Sequence, residues 1–226
     1  MRVLAIDTAL AACSVAVLDS DADRILARQS LPMTRGHAEA LMPLVERVMA
    51  EAETAFSGID RVAVTIGPGS FTGLRVGIAA ARGIALAAEK PAVGITTLLA
   101  YAAPHQAEGL FPVIAAIDAR HDHVYFQVFA PGGSSHGEPR LAPLREAVEA
   151  AAAAPARLVG PAAQTMAAAL AESDAAPVSV EPRLAPDIAW VARLGALSAE
   201  ATSPPVPQYL RAPDAQPQYA AHLPRR

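Results

Sequence analysis

The residues with the clearest chemical potential lie in Gly67–Gly73, which reads G-P-G-S-F-T-G and separates a short β-branched run from a long apolar one. A glycine-rich turn between a strand and a helix can offer free backbone amides to an anion, with Gly69, Ser70 and Thr72 as the contacts. Neither familiar nucleotide loop is present. No lysine follows the last glycine at the spacing G-x-x-x-x-G-K-[ST], and the run does not match G-x-G-x-x-G. The other reading is that the glycines let the following helix sit flush on its neighbours.

Two carboxylates stand out next. Asp7 and Asp118 each close a strand-like run ending Ala-Ile-Asp. If the two halves of the chain form a pseudo-symmetric pair, these carboxylates face each other across a cleft and could position a metal-nucleotide through water. A strand-end aspartate is equally a turn former. The other tempting groups are His121-Asp122-His123 and His37-Ala38-Glu39. His-x-His in a turn projects to opposite sides, and His37 and Glu39 do not share a helix face. With no third ligand near either group, no metal site is expected. Cys13 has no histidine companion and Ser70 is outside a G-x-S-x-G elbow, so nothing points to covalent catalysis.

The elements that must position these residues follow from periodicity. Arg2–Asp7, Cys13–Asp19 and Arg24–Leu31 read as three antiparallel strands, and 37–54 as a helix. Asp60–Ile66 reads as a buried strand, Leu74–Ala88 as a helix, Pro91–Ile95 as a strand and Thr97–Ala103 as a short helix. The pattern then restarts with strands at Phe111–Asp118 and Val124–Ala130, an internal repeat of one architectural unit. Helices are expected at Leu144–Ala154, Ala162–Ser173 and Asp187–Ala201, with short strands at Arg157–Val159 and Val178–Val180. From Ser203 the chain is rich in proline and glutamine and reads as an irregular tail, docked at most through Tyr209-Leu210-Arg211. The expected division is a first lobe at 1–104, a second at 105–203 and a tail at 204–226.

Two helices have unusual surfaces. In the first, Leu41, Leu44, Val45, Val48 and Ala52 make the inward stripe, while Ala38, Met42, Met49 and Phe56 widen it sideways. That edge is either a generous core face or a contact surface on which unbranched methionine packs adaptably. The second carries Gly73, Gly77, Ala80, Ala81 and Gly83, and each glycine costs about 1 kcal/mol of helix propensity relative to alanine. Close packing must offset that cost.

At 226 residues, 53% hydrophobic and 18% charged, the chain is large enough for one sizeable core or two small lobes. A net charge of -4 provides no footprint for nucleic acid, so RNA contact needs a local patch or a partner. The single cysteine, Cys13, excludes an internal disulfide and fits a reducing compartment. Leu10-Ala11-Ala12-Cys13 imitates a lipoprotein cleavage box, but Asp7 interrupts the apolar leader and Arg2 alone makes a poor basic one. No run approaches the roughly 18 apolar residues of a membrane span. The expected location is cytoplasmic.

Several of these motifs together resemble the TsaB (YeaZ) family, the accessory subunits of the bacterial tRNA threonylcarbamoyladenosine machinery. The residues are Asp7-Thr8 with Cys13-Ser14-Val15, His37-Ala38-Glu39-Ala40-Leu41, the run Gly67 to Gly77, Ile117-Asp118-Ala119-Arg120, and Tyr209-Leu210-Arg211. The resemblance is dense over the first 130 residues and thin afterwards, and G-P-G-S-F-T-G-[LV]-R is its most specific part. It implies an α/β protein with the actin-like ATPase fold of sugar kinases, Hsp70 and actin: two lobes of β-β-β-α-β-α type, the second reduced.

The resemblance also implies a role. Such chains pair with the catalytic paralogue TsaD, and with the ATPase TsaE, to transfer threonylcarbamoyl to an adenosine beside the anticodon of tRNA. TsaD-like chains hold their metal with a histidine pair spaced H-x-x-x-H. The matching positions here are Thr97 and Tyr101, so the ligands are missing and a non-catalytic scaffold is implied. Ala38, Met42, Val45 and Met49 on the first helix, with Gly73, Val76, Gly77, Ala80 and Ala81 on the second, become the expected interface with TsaD, or with a second copy in its absence. No tightly bound cofactor is expected. ATP or ADP with Mg belongs at the interface of the complex, and tRNA is reached only through the complex. The competing reading is a self-sufficient ATP-binding phosphotransferase or ATPase of the same fold, built on Asp7 and Asp118.

Overall fold

Hydrophobic alternation and run length place the strands, and in the computed structural model they assemble into two five-stranded sheets of one topology. Residues 1–106, 109–133, 137–172, 175–199 and 203–211 are described. The first sheet contains β1 (Arg2–Asp7), β2 (Ala12–Asp19), β3 (Arg24–Pro32), β4 (Arg61–Gly67) and β5 (Ala92–Thr96), in the order β3-β2-β1-β4-β5. β6 (Val113–Asp118), β7 (His123–Phe129), β8 (Arg140–Pro143), β9 (Arg157–Val159) and β10 (Ser179–Glu181) form the second, ordered β8-β7-β6-β9-β10. In each, the first three strands are antiparallel and the last two run parallel to the first. The restart read at Phe111 is therefore a repeat of the whole sheet. The second copy is the reduced one, its β9 and β10 only three residues each.

β1 and β4 are buried almost end to end, as the continuous apolar runs of parallel strands covered on both faces require. One face is covered by α1 (His37–Glu51) and α2 (Phe71–Ala88). Further on come α3 (Thr97–Gln106), α4 (Leu144–Ala152), α5 (Ala163–Ala171) and α6 (Ile188–Leu197). Leu98, Tyr101 and Ala102 of α3 pack against Val113, Ala115 and Ile117 of β6. Ile188, Val191 and Ala192 of α6 pack back on Val3, Ala5 and Ala63 of the first sheet. The lobes thus exchange their last helices.

Local chemistry fixes the ends of these helices. Ser70 caps α2, its Oγ accepting from the Gly73 amide at 3.3 Å, and Asp187 caps α6 by accepting from the Ala189 amide at 3.0 Å. The buried Arg61 guanidinium donates to the carbonyls of Gly195 (2.9 Å) and Ser198 (2.6 Å), satisfying the last turn of α6. α2 starts three residues earlier than its periodicity suggests and reaches 18 residues, long and apolar enough by composition to cross a membrane. Its inner line of Gly73, Leu74, Gly77, Ile78, Ala81 and Ala85 is packed inside the first lobe. The sequence pattern missed β8 and a 3-10 turn at Phe56–Gly58. The expected helix ends at Ser173 and Ala201, and the tail beyond Arg211, lie outside the described residues.

Candidate functional site

The glycine turn is stitched to the segment that follows β1. The Ser70 amide donates to the Ala9 carbonyl at 2.8 Å, and the Thr8 hydroxyl donates to the Gly73 carbonyl at 2.7 Å. A Cβ on Gly69 would press on the Ala9 carbonyl, and one on Gly73 or Gly77 would collide with Thr8. The glycines therefore serve close approach of α2 to β1, and that packing offsets their helix-propensity cost. Of the amides an anion could use, those of Ser70 and Gly73 already have acceptors. Thr72 is exposed on the first turn.

Asp7, at the end of β1, has 0% exposure. Its Oδ1 accepts from the Thr65 hydroxyl at 2.6 Å and from the Ala9 amide at 3.0 Å, while Oδ2 has no partner. Burial pushes its pKa up, outweighing the opposing pull of Thr65, Ala9 and His37. Such a carboxyl is sealed from water and held toward its neutral form, which does not fit a site that positions a hydrated metal-nucleotide. Asp118 differs: it is exposed, and its Oδ1 accepts from the Arg120 amide at 2.7 Å, closing its own turn. The two carboxylates are not an equivalent pair, and the expectation of a shared nucleotide site on them is corrected on that ground.

Thr97 and Tyr101 lie on α3. Both are buried; the Tyr101 hydroxyl donates to the Arg183 carbonyl at 3.1 Å, and burial pushes its pKa far up. His37 engages the Leu10 carbonyl at 3.0 Å through Nε2, and His123 engages the His121 carbonyl at 2.6 Å through Nδ1. Among the described residues no three of His, Cys, Asp and Glu converge as metal ligands. Cys13 is buried, and that burial, with Asp7 nearby, pushes its thiol up to about 11, away from nucleophilic character.

The expected interface divides into an outer and an inner half. Ala38 and Met42 of α1 are exposed, and Val76 and Ala80 of α2 are partly so. Met42 (48% exposed) and Phe56 (41%) flank a depression of about 600 Å³ with Ala80, Gly83, Ile84 and Ala87. Val45, Met49, Gly73, Gly77 and Ala81 instead point into the first lobe's own core. Helical projection could not separate the halves, because small and apolar residues run almost all round α2. Thr8, Thr65 and Phe56 are the contributors sequence reasoning passed over or placed only loosely. A threonine between the apolar Val64 and Ile66 of β4 was the available signal for Thr65.

The chain is similar to known proteins in sequence and in fold. The family profile of TsaD, tRNA N6-adenosine threonylcarbamoyltransferase, matches residues 25–191. The tRNA threonylcarbamoyladenosine biosynthesis protein TsaB of Escherichia coli K12 is 39% identical over 148 residues, 64% of this chain and 63% of that protein. The chain thus spans less than two thirds of that relative's length. The solved structure of YeaZ from Pseudomonas aeruginosa superposes with a TM-score of 0.77 at 30% identity, covering 92% of this chain and 99% of that one. A ROK family protein from Streptococcus pneumoniae, with a TM-score of 0.50 and 12% identity over 87% of this chain and 97% of that one, shares the fold alone. That fold is the actin-like ATPase fold.

Proposed function

The chain belongs to the TsaB (YeaZ) group within the tRNA N6-adenosine threonylcarbamoyltransferase family, and from that premise we propose that it is a non-catalytic activating subunit in tRNA threonylcarbamoyladenosine biosynthesis. It pairs with a TsaD-like catalytic paralogue, acts with a TsaE-like ATPase, and self-associates when the paralogue is absent. It works in the cytoplasm and reaches tRNA only through the complex. ATP or ADP with Mg acts at the interface of that complex rather than on Asp7.

The observation that carries this reading is the apolar depression between α1 and α2, where Met42 and Phe56 stand exposed beside Ala80 and Gly83. Contiguous apolar surface on a small α/β protein marks a contact site. Support for the absence of catalysis comes from Thr97 and Tyr101, two neutral buried side chains at the positions where the paralogue's metal ligands are expected.

The direct test is threonylcarbamoyl transfer to tRNA by this chain alone, by the paralogue alone and by the two mixed. Activity is expected in the mixture, and activity from this chain alone overturns the reading. Met42→Glu should abolish association in gel filtration while the chain stays folded, its stability within about 0.5 kcal/mol of the parent. Calorimetry with Mg-ATP on the isolated chain separates the competing phosphotransferase reading, which requires binding at millimolar nucleotide.

A further inference from the structure

The last described segment, Ser203–Arg211, makes its contacts on both lobes. It begins beside Arg82 and Leu86, at the C-terminal end of α2, where Ser203 and Pro204 line a shallow depression. By Gln208 it has reached the other end of the helix, and the Gln208 amide donates to the Ile66 carbonyl at 2.8 Å. Gly67 makes room for it, since a Cβ there would stand 2.7 Å from the Gln208 carbonyl oxygen. Tyr209 is pinned twice. Its ring lies 4.8 Å from that of Phe71, and its hydroxyl accepts from Arg75 Nε at 3.0 Å. Arg75 in turn sits 3.8 Å above the Phe71 ring. Two residues later the chain leaves the first lobe, and Arg211 donates to the Ala119 carbonyl at 2.9 Å. Ala119 follows Asp118 at the end of β6 in the second lobe.

We propose that Ser203–Arg211 is an interlobe strap: anchored along α2 and fastened by Arg211 to the β6–β7 turn, it fixes the angle between the lobes at the end where β1 and β6 stop. Lobes joined by chain crossings and exchanged helices such as α3 and α6 are of the kind that close by hinge or shear motion. A tie at the ends of β1 and β6 removes that freedom. The anchor on α2 uses an aromatic contact, a hydrogen bond and a glycine, whereas among the described residues the hydrogen bond that fastens the segment to the second lobe comes from the Arg211 guanidinium. Arg211 is therefore where the strap should open.

The test uses the full-length chain with spin labels on cysteines introduced at the exposed positions Arg47 and Arg145, one in each lobe; the native Cys13 is buried. Dilution with unlabelled chain restricts the signal to pairs within one molecule. Arg211→Ala should shift or broaden the distance distribution by about 2 Å or more, Arg211→Lys should restore it, and Tyr209→Ala should loosen it and speed exchange of the Gln208 amide. An unchanged distribution in both alanine variants, with the melting curve also unchanged, overturns the proposal.

Discussion

The chain writes Ala-Ile-Asp twice, at the ends of β1 and β6, and folds the two copies into opposite environments. Both aspartates pair with the following antiparallel strand, Asp7 opposite Ser14 and Asp118 opposite Val124. The difference arises on the other side. β4 pairs with β1 as far as Ile6 opposite Val64 and continues to Thr65, which brings a hydroxyl to Asp7. β9 stops three residues short of Asp118, at Ala115 opposite Val159. The segment after β1 is held by the glycine turn through Ser70 and Ala9, and Asp7 is fully buried, whereas Asp118 stays open to solvent. What a strand-end carboxylate becomes is thus decided by the length of its neighbour and by how the segment after it is held.

The largest break in this contrast should come from the close packing of α2 on Thr8, the residue after Asp7. Gly77→Leu puts a branched side chain where Thr8, Val64 and Ile6 leave no space, and overpacking a site with no give costs about 3 kcal/mol or more. Urea denaturation reads the loss. A Gly77→Leu chain that melts like the parent and fails only to associate would return this line of α2 to an outward-facing role. A smaller effect is expected from Thr65→Val, which removes the hydroxyl donor and leaves Asp7 Oδ1 with the Ala9 amide alone. The expected cost is about 1–3 kcal/mol, measured in the same titration, and no loss would mean the hydrogen bond contributes nothing.

The backbone of the first lobe was legible because its signals were local. β-branched runs, the Gly67-Pro68-Gly69 break and the Ala-Ile-Asp repeat each depend on residues close in sequence. The outward and inward faces of α2 were not legible, since Gly73, Val76, Gly77, Ala80 and Ala81 are all small or apolar and only the position of β1 decides which are covered. The exchange of α3 and α6 between lobes is equally a long-range fact. Arg61 reaching the last turn of α6, 134 to 137 residues away, leaves no periodic trace. The carboxylates were found as candidates from their strand ends, but their inequivalence depends on where β9 stops, which three residues of sequence do not announce.

The smallest and most discriminating effect is the pH response of the two aspartates. Burial holds Asp7 above the usual carboxylate range, so the folded chain keeps a proton that the unfolded chain releases near pH 4. The stability tied to that proton is complete below the unfolded value and is lost as pH rises through the folded one. Asp7→Asn has no such proton to lose. Its melting temperature should vary less between pH 4 and 8 than the parent's, and its margin over the parent should grow toward the alkaline end. Asp118→Asn changes an exposed side chain whose one described bond closes its own turn, so it should follow the parent within about 0.5 kcal/mol across the same range. Parallel curves for all three chains would show that burial does not set the protonation of Asp7, and the contrast between the two strand ends would then be one of shape alone.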